Sequence, residues 1–193
     1  YLDDAYPEPT LRPADPYQRS TMRYWMKHVD VKLHPSCGTI QWPMVMREAL
    51  MSKPEAERDQ LLARIPEKPR RERQMRLVKF GLDAPDVADA VRTYRKTIVD
   101  MEEILTTRQW VASDQFSLAD ICLAPYFQTL HQFNWTALFD QDCPNVADWF
   151  KRCQQRPSYQ TAVANDFPEK LINELREKGT AAWPKIALHL GNS

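Results

Sequence analysis

The stretch FSLADICLAPYFQTL, residues 116–130, contains a strong helix start followed by a residue that normally breaks a helix. Ser117 can cap the helix by accepting a hydrogen bond from the amide three residues on, and Asp120 can reach back to the amide of the capping residue. We interpret this pair as a structural cap rather than a catalytic pair. Eight residues after the cap, Pro125 removes a backbone hydrogen bond, which costs about 3 kcal/mol in an ordinary helix. Only packing elsewhere in the protein can offset that cost.

We therefore predict that this helix lies in the core of the protein, with other helices on all sides. Phe116 is expected to pack against Ile121 as a hydrophobic staple at the helix start. Burial of Ile121, Leu123, Tyr126 and Phe127, at about 1.5–3 kcal/mol for each side chain, outweighs the cost of the proline.

The composition of the chain favours helices and excludes several functional classes. Only four glycines occur beside 15 prolines, and no run of β-branched residues alternates with polar ones, so we predict an all-α fold. Lys+Arg and Asp+Glu are both 26, which leaves no net charge to attract nucleic acid or an anionic membrane. No apolar segment approaches the ~18–20 residues that span a bilayer, and the N-terminus lacks the features of a signal peptide. We expect a cytoplasmic protein without nucleic-acid or membrane partners.

The cysteines and histidines give no sign of a metal site. No CxxC, HxxxH or HExxH pair occurs, so we predict that no metal is bound. The cysteines are interpreted as reduced thiols of the core, with disulfides or metal ligands as the alternatives. The residues concerned are Cys37, Cys122, Cys143, Cys153, His28, His34, His131 and His189.

The N-terminal part of the chain is predicted to be a connector followed by a long helix. Residues 1–14 carry three prolines, which favours an extended, semi-rigid connector. Asp15 followed by Pro16 predicts a helix start, because an acceptor at the cap precedes proline at the first helical position. Apolar residues then recur at helical spacing, and Pro35 and Gly38 are expected to bend the helix.

A charged helical insert is predicted over residues 52–80. Ser52 and Glu55 have the spacing of a second capping box, and residues 67–79 contain six basic and two acidic side chains. This segment is either an anion-binding patch or a solvated helical insert.

The rest of the predicted helical domain, which extends over residues 15–193, consists of further helices. Residues 86–105 have the pattern of a long amphipathic helix, and two short helices are divided at Arg156. A charged C-terminal helical stretch is expected to be interrupted near Gly179 and Pro184.

The order of these signals resembles the all-helical C-terminal domain of cytosolic glutathione transferases. The resemblance runs over essentially the whole chain and rests on the proline-rich connector and three segments. These are DPYQRSTMRYWMKHVDVKLHPS at 15–36, FSLADICLAPYF at 116–127 and WFKRCQQRPSYQ at 149–160. It implies a helical bundle with the capped helix at its centre. The charged insert is similar to that of bacterial β-etherase-type transferases.

The resemblance implies a function divided between two domains. Glutathione, as co-substrate, would be bound mainly by an N-terminal thioredoxin-like domain that is absent from this chain. This chain would form the C-terminal half, which shapes the pocket for an apolar or aromatic electrophile or ether and contributes to a homodimer. Transferase activity, of the kind that serves detoxification, is expected of the full-length parent, and the chain alone is expected to be inactive. The alternative is a non-catalytic helical protein-interaction module with the same fold.

Four residues of the first long helix are candidates for contact with substrate, and none is predicted to be catalytic. The resemblance implies that His34 is a helper that faces the glutathione thiol, where a neutral imidazole could stabilise the thiolate. The alternative is a helix-end histidine that interacts with the carbonyl dipole. Tyr24, Trp25 and His28 share one region of the helix and could form an aromatic wall for an apolar substrate. Trp25 could instead be a core residue, and Tyr24 and His28 could lie on a dimer surface.

Overall fold

The computed structural model describes residues 2–190, and within this range every regular element is helical and no β-strand occurs. The all-α class predicted from the sequence is confirmed. No helix in this range is long and apolar enough to cross a membrane. The α-helices are α1 Leu2–Ala5, α2 Pro16–His28, α3 His34–Val45, α4 Arg47–Met51, α5 Glu55–Ala63, α6 Lys68–Phe80, α7 Pro85–Leu105, α8 Leu118–Gln132, α9 Pro144–Gln154, α10 Pro157–Ala162 and α11 Glu169–Ala187.

The first long helix begins where the sequence predicts. The Asp15 carboxylate accepts a hydrogen bond from the amide of Gln18 at 2.9 Å, and Pro16 is the first helical residue. Before this helix, α1 forms a single turn, so the described part of the predicted connector is not extended throughout. The amide of Leu118 donates to the carbonyl of Leu11 at 3.1 Å, which ties this N-terminal segment to the start of α8.

The predicted bend at Pro35 and Gly38 is replaced by a π-helical turn, Val29–Leu33, that joins α2 to α3. In this turn the amide of His34 bonds to the carbonyl of Val29, five residues back rather than four. Pro35 has no amide hydrogen to donate and would crowd the carbonyl four residues earlier in a regular helix. The wider turn relieves that crowding, and the helix continues to Val45.

The start of α8 is fixed by the capping box predicted at Ser117 and Asp120. The Ser117 hydroxyl accepts from the amide of Ala119 at 3.3 Å, and the Asp120 carboxylate accepts from the amide of Ser117 at 2.9 Å. The amide of Val111 and the indole of Trp149 also donate to this carboxylate, at 3.0 and 2.9 Å. Burial raises the pKa of the Asp120 carboxyl, and these hydrogen bonds oppose the shift.

Only part of the predicted burial of α8 is observed. Leu123 and Phe127 are fully buried, whereas Ile121 is 39% exposed and Tyr126 is half-buried. Phe116 packs against Trp110, with ring centroids 5.0 Å apart, and its predicted staple contact with Ile121 stays a prediction. The helix therefore has one open side rather than neighbours all round.

The predicted capping box at Ser52 and Glu55 is wrong. Helix α5 has Pro54 at its N-cap and no side-chain cap, and the Ser52 hydroxyl donates to the carbonyl of Ala49 in α4. The insert is also attached to the core rather than merely solvated. Leu77 is 1% exposed, and the guanidinium of Arg76 makes two hydrogen bonds, of 2.8 and 2.7 Å, to the carboxylate of Asp86 on α7.

Helix α11 is continuous, so the predicted interruption near Gly179 and Pro184 is also wrong. Gly179 is needed for packing: a Cβ at this position would lie 2.0 Å from the carbonyl oxygen of Phe133. The indole of Trp135 donates to the carbonyl of Gly179 at 2.7 Å, which fixes the middle of α11 against the segment after α8.

Candidate functional site

An apolar groove of about 830 Å³ opens along the exposed side of α8. One wall comes from α3, one from α8, and the remainder from the end of α9, α10, the first half of α11 and residues that adjoin these helices. Its apolar lining consists of Trp42, Val45, Met46, Phe116, Ile121, Ala124, Pro125, Ala162, Val163, Phe167, Leu171 and Leu175.

The α8 wall follows from helical spacing. Ile121, Ala124, Pro125 and Gln128 are related by steps of three and four residues, so they lie on one face of the helix. This is the face that the core does not cover. Pro125 is therefore exposed in the groove, and the residue that weakens the helix locally contributes apolar surface to its wall.

The α3 wall has the same spacing in Gly38, Gln41, Trp42 and Val45. The opposite face of α3 is buried, with Cys37 and Ile40 at 8% and 4% exposure. This orientation depends on the π turn, because each residue of a helix turns the following ones about the helix axis.

A polar pair crosses the groove between α8 and α10. The Tyr159 hydroxyl donates a hydrogen bond to the side-chain oxygen of Gln128. Burial raises the pKa of Tyr159 to about 12, so the phenol keeps its proton at neutral pH. The pair fixes α10 against α8 and supplies polar atoms in an otherwise apolar lining.

Among the described cysteines, Cys153 is the one that lines the groove, so it is the candidate for a reactive thiol. It is 2% exposed, and burial raises the pKa of its thiol well above the ordinary range. A thiol in this state is protonated and is a poor nucleophile. All four cysteines are free; Cys37, Cys143 and Cys153 are buried, whereas Cys122 is only partly buried and is not the core residue that was predicted. Within the described part of the chain, no group of three or more His, Cys, Asp or Glu side chains is placed to hold a metal.

The aromatic candidates of α2 lie together but not in the groove. The ring of Trp25 is 5.4 Å from that of His28, and the ring of Tyr24 is 6.3 Å from His28. Trp25 is 1% exposed and belongs to the core, the alternative that the sequence left open, whereas Tyr24 is 61% exposed.

His28 is bound to the core through α7. Its Nε2 lies 2.8 Å from the hydroxyl of Thr97, which donates its own hydrogen to the carbonyl of Thr93. Nε2 therefore donates its hydrogen to the Thr97 oxygen, as a neutral imidazole can. Burial lowers the pKa of His28, which favours the neutral form.

His34 is exposed, and its Nδ1 lies 3.0 Å from the hydroxyl of Tyr126. Neither residue lines the groove. The alternative of a helix-end histidine does not fit, because the π turn precedes His34 and α3 follows it without a break. His34 has no helix terminus with which to interact.

The residues that do line the groove include several that the sequence analysis missed, namely Trp42, Phe167, Leu171 and Leu175. The spacing of Gly38 to Val45 was a usable signal on α3. No comparable signal marked the start of α11, where Leu171 is 39% exposed within a highly charged segment.

Comparison with known proteins agrees with this architecture. Residues 39–157 match the family model described as glutathione S-transferase, C-terminal domain. The chain is 26% identical to Protein LigF of Sphingobium sp., over 92% of this chain and 71% of that protein. It is 23% identical to glutathione S-transferase 3 of Glycine max, over 88% of this chain and 59% of that protein. The chain thus spans between about three fifths and seven tenths of these relatives.

Solved structures share the fold. The β-etherase LigF from Sphingobium sp. strain SYK-6 superposes with a TM-score of 0.70 at 23% identity, covering 86% of this chain and 70% of that one. A theta class glutathione S-transferase from Xanthomonas axonopodis pv. citri, solved with glutathione bound, superposes with a TM-score of 0.52 at 20% identity. That match covers 85% of this chain and 68% of the other.

Proposed function

Because the chain belongs to the glutathione S-transferase C-terminal domain family, we propose that it is the half of a glutathione transferase that binds the electrophile, an apolar or aromatic molecule or an ether. The observation that carries this proposal is the apolar groove between α3, α8 and α11. Its volume of about 830 Å³ is in the range of pockets that enclose small organic molecules. The similarity to LigF, whose solved structure is described as a β-etherase, supports an ether as one class of substrate.

In this proposal glutathione is the co-substrate and is bound mainly by an N-terminal thioredoxin-like domain of the parent protein. The similarity to a theta class enzyme solved with glutathione bound supports this choice of co-substrate. His34 is the proposed thiol-facing helper, because its ring is exposed on the surface of the helix and can accept or donate a hydrogen bond. A cytoplasmic location and a role in detoxification are further parts of the proposal.

The described residues would contribute binding and orientation rather than a nucleophile. The groove walls remove water from an apolar electrophile, at about 25 cal/mol for each Å² of apolar surface covered. Cys153 does not compete with glutathione for that electrophile, because its raised pKa keeps the thiol protonated. The Gln128 side chain accepts a hydrogen bond from Tyr159 through its oxygen, so its NH2 group is the one that can donate to a polar atom such as an ether oxygen.

We further propose that the protein is a homodimer and that α2 contributes to the contact. Tyr17 and Tyr24 are seven residues apart on α2 and are 72% and 61% exposed, so two large aromatic side chains lie on one outer side of the helix. Aromatic side chains of this kind are enriched in protein interfaces. Tyr24→Glu should shift the mass measured by sedimentation velocity from dimer to monomer. Lys27→Glu, which changes the charge of an exposed residue of the same helix, should leave the mass unchanged.

Calorimetric titration with a neutral aromatic ether, 2-phenoxyethanol, tests the groove itself. Ala124→Trp places a large ring in the α8 wall, whereas Ala181→Trp makes the same change at an exposed position of α11 outside the groove. We expect saturable binding that Ala124→Trp weakens by at least about ten-fold, while Ala181→Trp changes it by less than about two-fold. Absence of saturable binding, or equal affinity in both variants, would remove the groove as the substrate site.

A further inference from the structure

Arg156 is a half-buried cation at the rim of the groove, in the extended residue between α9 and α10. Its guanidinium carbon lies 3.6 Å from the centroid of the Phe116 ring and 6.0 Å from that of Trp110. Its Nε is buried without a hydrogen-bond partner. Within residues 2–190 no carboxylate, carbonyl or hydroxyl accepts a hydrogen bond from this side chain.

This environment satisfies one part of the guanidinium and leaves the other unsatisfied. Stacking on an aromatic ring stabilises the positive charge through the flat face of the group. The N–H donors point outward in the plane of the guanidinium, and they match the two oxygens of a carboxylate. The Nε of Arg156 is buried, so the two terminal nitrogens are the donors that Arg156 can offer to a ligand in the groove.

The neighbouring Arg152 also has a buried Nε without a hydrogen-bond partner, but it differs from Arg156 in its terminal nitrogens. Both arginines lie near Trp110, since the guanidinium carbon of Arg152 is 5.5 Å from the centroid of that ring. The Nη2 of Arg152, however, donates to the carbonyl of Gln109 at 2.6 Å, and Arg152 does not line the groove. Among the described residues, a terminal nitrogen of Arg152 thus has a structural acceptor, whereas those of Arg156 have none.

The charge of Arg156 stands out within the groove. Among the described residues that line the groove, Arg156 is the only charged one, and most of the others are apolar. A ligand that fills this space therefore meets apolar surface along its length and a cation at one edge, beside Phe116 and Ser158. Charge complementarity then requires an acidic group on the ligand.

We propose that the groove takes an aromatic molecule that carries a carboxylate, with the carboxylate on Arg156 and the ring against the apolar walls. This inference rests on the proposed function and specifies its substrate class. Two hydrogen bonds from the guanidinium would orient the ligand, because a bidentate pair fixes direction as well as distance. The rest of the molecule would extend along α8 towards Ala124 and Leu175.

Two probes of nearly equal shape separate the charge from the ring: 1-naphthoate and the neutral 1-naphthamide. Calorimetric titration of the 193-residue chain compares wild type with Arg156→Gln, Arg156→Lys and the matched control Arg152→Gln. We expect Arg156→Gln to weaken naphthoate binding by about ten-fold or more and to change naphthamide binding by less than about two-fold. Arg152→Gln should keep the wild-type preference for naphthoate, and Arg156→Lys should retain part of it, since the charge remains but the fork geometry is lost.

The remaining outcomes test separately the groove and the contact between the ligand carboxylate and Arg156, which is called the anchor here. Equal affinity of wild type for naphthoate and naphthamide would overturn the anchor and leave the apolar groove as the binding site. Failure of both probes to bind wild type would overturn the anchor and the proposed function together. If Arg156→Gln loses both probes because it folds poorly, Arg156→Lys decides: recovery of naphthoate binding above naphthamide supports the anchor, and no difference between the probes overturns it.

Discussion

The carboxylate of Asp120 connects the start of α8 to two other parts of the core, which leads to a prediction about stability. It is 0% exposed and accepts hydrogen bonds from the amide and hydroxyl of Ser117, the amide of Val111 and the indole of Trp149. Ser117 makes a smaller contribution, because among the described residues its hydroxyl bonds to Ala119 and Asp120 alone. Asp120→Ala should therefore cost considerably more stability than Ser117→Ala, although both remove half of one capping box.

The magnitudes follow from the donors that each change leaves without a partner. Asp120→Ala leaves the buried amides of Ser117 and Val111 and the indole of Trp149 unsatisfied, each at about 1–3 kcal/mol. Some relaxation will recover part of this, so we expect a loss of about 3–6 kcal/mol in the free energy of unfolding. Ser117→Ala removes a single N-cap acceptor, which costs about 1 kcal/mol.

Equilibrium unfolding in urea, followed by far-ultraviolet circular dichroism, measures both free energies. Asp120→Asn is the control, because it keeps the volume and one acceptor oxygen but turns the other acceptor into a donor. We expect it to fall between the two alanine variants. If Asp120→Ala loses less than about 1 kcal/mol more than Ser117→Ala, the carboxylate does not join these segments and α8 is not held as described.

Two further predictions concern packing and pH. Gly179→Ala should destabilise the protein by several kcal/mol, because its Cβ would lie 2.0 Å from the Phe133 carbonyl oxygen. Gly38→Ala should stabilise it by about 0.5–1 kcal/mol, because no atom of the described residues lies within 4 Å of the added Cβ. Thermal unfolding measures both variants, and equal shifts in the melting temperature would contradict the close packing of Gly179. Burial lowers the pKa of His28 below 6.5, so on acidification the unfolded state takes up a proton before the folded state does. Stability from this residue is therefore fully present above the ordinary imidazole pKa of 6.5 and is lost as the pH falls through that value to the lower pKa of the folded state. His28→Gln should reduce this loss of stability at low pH, as measured by urea unfolding at several pH values. His131→Gln is the comparison, because burial lowers the pKa of His131 too. An unchanged pH dependence of stability in His28→Gln would contradict the role given to His28.

The elements that the sequence predicted correctly depend on local chemistry. The caps at Asp15 and Ser117 need only a few neighbouring residues, and both are present. The errors arose where neighbouring residues in the sequence predict one role for a residue and the folded structure gives it another. Ser52 has the spacing of a cap but bonds backwards to α4, and Gly179, which resembles a helix breaker, allows close contact with another segment.

The groove was beyond sequence reasoning for a different reason. Its walls come from parts of the chain as far apart as Gly38 and Leu175, and which face of each helix lines the groove depends on how these helices pack against one another. The candidates on α2 came from an aromatic pattern and from the family resemblance. Their helix does contact α8, but on a side that does not line the groove.

Because of the π turn at Val29–Leu33, the set of residues that line the groove depends on the number of residues in this turn. A π turn holds one residue more than an α-helical turn, so removal of a residue between 29 and 33 would allow a regular helix to form. Every residue of α3 would then be rotated by about 100° about the helix axis. Trp42 would leave the groove wall, and the buried face with Ile40 would turn out of the core. A deletion or insertion at this turn would therefore change more of the residues that line the groove than any single substitution along α3.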